Sequence, residues 1–90
     1  MARQYPFQWH ADGGHAWLEV PADELARFGV EPSGYSYIRG TDQGAVAYLE
    51  EDCDAPAFLQ AAGLMEAAQS FPERYTDGDS WIRRLPRFAA

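Results

Sequence analysis

Tyr35-Ser36-Tyr37-Ile38-Arg39, Gly40-Thr41-Asp42-Gln43-Gly44, Ala45-Val46-Ala47-Tyr48-Leu49 and Glu50-Glu51-Asp52-Cys53-Asp54 follow one another without a break. The first and third pieces are rich in aromatic and aliphatic residues that suit a pleated surface. The five residues between them include two glycines, so Tyr35–Arg39 and Ala45–Leu49 are predicted to form a β-hairpin closed by a Gly40–Gly44 loop. The fourth piece places four carboxylates within five residues at the end of the second strand. Like charges so close are costly unless they are solvated, lie at a helix N-terminus or await a cationic partner.

Downstream, Asp54 is placed to cap a helix running through Phe58, Leu59, Ala62 and Met65, with Ala55 and Pro56 in its first turn. Gly63 leaves the far end open. The helix either stops there, with Leu64 folding back on Leu59, or continues to Gln69 before Phe71-Pro72 ends it. Thr76-Asp77-Gly78-Asp79 reads as a turn, and Ser80–Leu85 as a final edge strand limited by Pro86.

Upstream, His15–Val20 alternates, with Ala16, Leu18 and Val20 on one face and His15, Trp17 and Glu19 on the other, the pattern of a strand. Asp12-Gly13-Gly14 before it is a turn signal, and residues 1–14 are otherwise polar and aromatic. Pro21–Phe28 changes to helical spacing, with Pro21, Asp23 and Glu24 in the first turn. Gly29 suits a left-handed C′ position that would set Val30 against Leu25. The elements add up to an α+β fold: a small antiparallel sheet of three to four strands with two short helices packed on one face.

Ninety residues with 47% hydrophobic content and thirteen aromatics suit one domain, residues 1–90, with a packed core. Such a chain buries about 60–65% of its unfolded surface without staples. Fourteen acids against seven arginines, with no lysine, give a formal charge of -7. That balance repels nucleic-acid phosphates and anionic membranes, so the expected macromolecular partner is a basic surface. The alternative is that surplus acid only keeps the protein soluble. Met-Ala-Arg-Gln-Tyr lacks the apolar run of a signal peptide, and no stretch approaches the ~20 apolar residues of a spanning helix, so a cytoplasmic location is expected.

Little in the chain points to catalysis. Cys53 is the single cysteine, which excludes an internal disulfide, and no nucleophile signature surrounds it. It is expected to be a buried or partly buried structural residue. His10, His15 and Cys53 are too few for a structural zinc site. The acidic run and Asp77-Gly78-Asp79-Ser80 both lack EF-hand spacing. Gly13-Gly14 lacks the lysine and helix of a phosphate loop. No catalytic, cofactor or metal residues are therefore assigned, and an enzyme is disfavoured.

The acidic run has two compatible readings. In one, Asp54 caps the second helix, Glu51 and Asp52 complement its dipole, and Glu50 faces water. In the other, Glu50, Glu51, Asp52 and Asp54 project together, extended by Asp42 from the hairpin loop, and imitate a row of phosphates. Ser80–Phe88 reverses the sign with Arg83, Arg84 and Arg87. These arginines either neutralise the acidic run or form a separate contact surface with Trp81 as an anchor. Tyr35, Tyr37 and Trp17 would line an outer aromatic face if Ile38, Leu18 and Val46 fill the inner one. That outer face is a homodimer seam or a second small core.

Gly14-His15-Ala16-Trp17-Leu18-Glu19-Val20-Pro21, Tyr35-Ser36-Tyr37, Tyr48–Ala55 and Ser80-Trp81-Ile82-Arg83 together resemble a family of small uncharacterised proteins and domains carried on bacterial plasmids and phages. The likeness spans roughly residues 12–87, and Tyr48–Ala55 is its most specific block. It supplies no catalytic residue and implies a mobile-element accessory protein acting inside a bacterial host. In size and charge the chain is also similar to anti-CRISPR inhibitors. The resulting expectation is a non-enzymatic acidic binder that occupies the basic nucleic-acid-binding surface of a host-defence complex. Asp42, Glu50, Glu51, Asp52 and Asp54 would supply charge, and Tyr37 or Trp81 apolar anchoring. The alternative is a plasmid or phage accessory protein acting as a homodimer through the aromatic sheet face.

Overall fold

A computed structural model describes residues 5–88. Most of the Met1–Tyr5 segment, on which the leader reading rests, lies outside the described residues. Five strands form one mixed sheet: β1 (Gln8–Ala11), β2 (Ala16–Pro21), β3 (Tyr37–Thr41), β4 (Gly44–Glu50) and β5 (Glu73–Tyr75), in the order β3-β4-β2-β1-β5. The α+β class stands, but the sheet has five strands rather than three or four and is not wholly antiparallel. β5 runs parallel to β1, with Trp9 opposite Glu73 and Ala11 opposite Tyr75.

The two extra strands come from segments without an alternating pattern. In β1, Trp9 and His10 are both largely covered, so polar and apolar residues face inward alike. β5 is three exposed residues held by backbone bonds, Trp9 N–H to Pro72 O at 2.8 Å and Thr76 N–H to Ala11 O at 2.8 Å. A strand that short carries no side-chain signature.

The hairpin forms with a tighter turn than expected. Thr41 pairs with Gly44, so only Asp42 and Gln43 lie outside the ladder. Gly44 has φ of 112°, which admits glycine readily. The Thr41 hydroxyl donates to Gly44 O and accepts from Gln43 N–H, closing the turn locally.

Both helices lie on one face of the sheet. α1 (Ala22–Arg27) contributes Leu25, and α2 (Asp54–Ala62) contributes Ala55, Phe58 and Leu59, to a core with Leu18, Val20, Ala47 and Leu49. Phe7 meets Phe58 edge-on at 5.5 Å between ring centroids, a favoured aromatic geometry. Each helix ends as a Schellman motif. Val30 N–H reaches Leu25 O at 2.9 Å past Gly29, and Leu64 N–H reaches Leu59 O at 2.7 Å past Gly63. Gly63 therefore ends α2, and Met65 lies beyond it, exposed.

The opposite face carries a second core of Trp17, Tyr37, Tyr48 and Ile82, with Val46, Trp81 and Leu85 packed against it. Val46 lies on this face rather than the inner one, because it shares β4's parity with Tyr48. Ser80–Leu85 is not an edge strand. Trp81–Arg84 form a 3-10 turn whose N-terminus is capped by Ser80 Oγ, accepting from Ile82 N–H at 3.2 Å. This turn and the following residues lie across the aromatic face. Of the three residues of the expected aromatic face, Trp17 and Tyr37 are thus covered by the chain itself, 2% and 8% exposed, whereas Tyr35 is 67% exposed. Among the described residues, no helix is long and apolar enough to cross a membrane.

Candidate functional site

The corner between β4 and α2 separates the residues of the acidic run. Asp54 is buried and does not cap α2, whose first residue it is; the preceding Cys53 makes no side-chain cap bond either. Instead, Asp54 Oδ2 accepts from Ser33 N–H at 2.9 Å, from the Ser33 hydroxyl at 2.8 Å, and from the Ser36 hydroxyl. Ser36 Oγ in turn accepts from Glu50 N–H at 3.0 Å. The carboxylate thus joins the 33–36 loop to the end of β4, because two serines and a backbone amide reach it before its own helix does. It is held inside the fold and cannot belong to an exposed patch.

Glu50, Glu51 and Asp52 remain outside. Glu50 is half-buried, Glu51 and Asp52 are exposed, and one carboxylate oxygen from each lies within 4.8 Å of the others. Glu50 Oε1 accepts from Asp52 N–H at 2.9 Å, and Glu51 N–H donates to Ala16 O at 3.1 Å, so the corner is anchored at both ends. These three could jointly touch a hard cation, but they fall well short of the six to eight oxygens calcium takes. Asp42 is exposed at the hairpin tip, at the far end of β4, about 20 Å away at the usual strand rise. It does not join the corner. Cys53 is exposed beside it, contrary to the buried position expected from its residue type.

The C-terminal arginines do not neutralise the acidic corner. Arg83 forms a bidentate pair with Asp12, Nε to Oδ2 at 2.7 Å and Nη2 to Oδ1 at 2.8 Å. Asp12 also accepts from Gly14 N–H and His15 N–H, each at 3.0 Å, and from Ser80 N–H at 2.9 Å. The Arg83 guanidinium, assisted by those three amides against the cost of burial, holds the Asp12 carboxyl far below the usual carboxylate range. Asp12 in turn raises the Arg83 pKa. Asp12-Gly13-Gly14 was legible as a turn; its partner 71 residues away was not.

Arg83 lies over the Trp17 ring at 5.3 Å, and Arg87 over Tyr37 at 4.8 Å. Arg87 Nη1 also donates to Gly34 O at 3.0 Å. Tyr37 is therefore a floor beneath an arginine rather than an exposed anchor. Trp81 is half-buried, edge-on to Tyr48 at 5.3 Å and to His10 at 5.9 Å, with Arg39 over its ring at 5.8 Å. Beside it His10 Nε2 meets Glu19 Oε1 at 2.7 Å. Burial raises the Tyr48 pKa, opposed by the hydrogen bond from Arg39.

These elements meet in a groove of about 440 Å³ lined by His15, Trp17, Tyr35, Tyr37, Glu50, Asp52, Cys53, Arg83 and Arg87. Residues 14–21, 35–37, 48–55 and 80–83 all contribute to it or to its supports. Sequence reasoning found Glu50, Asp52 and Tyr37 and allowed Arg83 and Arg87 beside the acidic run, but it expected pairing there and missed Asp12 and Gly34 as the arginines' partners. Among the described residues, no ion pair joins Glu50 or Asp52 to either arginine across the groove. The chain matches no family model, no curated protein and no solved structure.

Proposed function

We propose that this chain is a non-enzymatic acidic binding module whose Glu50-Glu51-Asp52 corner docks on a basic surface of a macromolecular partner. One observation carries the reading: three carboxylates lie within 4.8 Å of one another and, among the described residues, none is paired with an arginine. At that spacing each pair repels by about 0.9 kcal/mol in water before salt screening. A cationic partner would turn this standing cost into attraction. The fold supports the reading by anchoring the corner at Ser36 and Ala16, so that little ordering is required on binding.

In keeping with the resemblance to mobile-element proteins, the partner we favour is a nucleic-acid-binding surface of a host-defence complex, CRISPR-Cas or similar, acting in the cytoplasm. Asp42, at the hairpin tip, would make a second and separate contact. The homodimer alternative has no comparable support, since Trp17 and Tyr37 are buried beneath residues of the same chain.

The test compares tagged wild-type protein with Glu51→Lys/Asp52→Lys in bacterial lysates carrying such a complex, across about 0.05–0.3 M salt. Wild type should retain the complex at low salt and release it steeply as salt rises, while the variant retains none. Equal retention by a folded variant would refute the reading.

A further inference from the structure

The groove beside the corner holds two carboxylates and two guanidinium groups that do not pair with one another, although they line one cavity. Three of the four are oriented by their own partners. Arg83 is fixed by Asp12 and Trp17, Arg87 by Tyr37 and Gly34, and Glu50 by the Asp52 amide. Opposite charges kept apart by separate supports leave a preformed gap with a negative wall and a positive wall. Asp12 offsets most of the Arg83 charge, so Arg87 is the cation left to receive an anion. Tyr35, 67% exposed, stands at the rim with its ring uncovered, and His15 is exposed beside it.

We infer that this groove is a binding site for a small zwitterion with a flat side chain, of the size of an aromatic α-amino acid. Its ammonium group lies against Glu50 and Asp52, its carboxylate against Arg87, and its ring against Tyr35. A groove of about 440 Å³ lies within the range of small-molecule sites. This inference goes beyond the docking reading and needs no basic macromolecule, although it shares Glu50 and Asp52 with that corner.

The experiment is an NMR titration of the isotope-labelled protein with three probes: L-phenylalanine, N-acetyl-L-phenylalanine and L-phenylalaninamide. These carry both charges, only the anion and only the cation. L-Phenylalanine should give saturable shifts centred on His15, Tyr35 and Cys53. Each singly charged analogue should bind at least about tenfold more weakly, the loss expected for one charged hydrogen-bonded contact. Arg87→Gln should weaken L-phenylalanine while leaving the amide's binding within twofold. Absence of saturable shifts, shifts centred elsewhere, or equal binding of either analogue would overturn the proposal. Loss of the basic partner with these results intact would refute only the docking reading.

Discussion

Replacing Asp12 tests the contact that joins the two ends of the fold. Its side chain is 1% exposed and accepts five hydrogen bonds, two of them from Arg83. Removing one partner of a buried pair costs about 3–5 kcal/mol, because the remaining groups lose their acceptor. Here Arg83 is 31% exposed and the Gly14 and His15 amides lie at the surface, so water can replace part of what is lost. That puts Asp12→Ala at the low end, about 3 kcal/mol, out of roughly 5–13 kcal/mol for a domain of this size. In urea, followed by tryptophan fluorescence, the midpoint should fall by roughly 1.5–2 M. The carboxyl titrates far below its unfolded value of 3.8. Its contribution is therefore complete above that value and declines as the pH drops through 3.8 and below. Asp12→Asn cannot titrate, so its stability should fall less steeply with acid than that of wild type. A midpoint change under about 0.5 M for Asp12→Ala, or parallel acid profiles for wild type and Asp12→Asn, would refute the account of this contact.

Asp54→Ala should cost about 2–3 kcal/mol, more than the ~1 kcal/mol of a lost helix cap. Its coupling to Ser33→Ala in a double-mutant cycle should exceed about 0.5 kcal/mol, and additivity would contradict the loop-anchoring role. Gly63→Ala, at φ of 72°, should destabilise by about 1 kcal/mol in a denaturant titration, and a neutral result would remove the left-handed cap. The Tyr48 pKa is raised above 10.0 by burial, so the stability it lends is present below pH 10.0 and lost as the pH rises beyond it. Tyr48→Phe should flatten that alkaline decline, measured by urea titration from neutral to alkaline pH, and an unchanged slope would place the titration elsewhere.

Several elements could be read directly from local residues. The hairpin, the β2 strand, both helices and the Gly29 terminus of α1 depend on periodicity and on positive-φ positions, which neighbouring residues encode, whereas the stop at Gly63 was one of two readings. Even there, the turn proved shorter than its glycines implied, because Gly40 and Gly44 could stay in the ladder. β1 and β5 were hidden, since one is covered on both sides and the other is held only by backbone bonds. The Ser80–Leu85 segment looked like a strand because its apolar residues are close together. In the structure, Ser80 caps a 3-10 turn that lays Ile82 into the second core.

The acidic run shows the same division for function. Its charge, and its place between β4 and α2, belong to the sequence alone, because composition and local pattern specify them. Which carboxylates are available was decided only by tertiary structure. Asp54 turned inward because Ser33 and Ser36, distant in the chain, offered three donors in place of one cap bond. Arg83 and Arg87 went to Asp12, Trp17 and Tyr37, so that among the described residues Glu50, Glu51 and Asp52 make no ion pair beside a charged groove. Chain composition sets how much charge a surface must carry, whereas the partner of each charge depends on non-local geometry that no spacing rule contains.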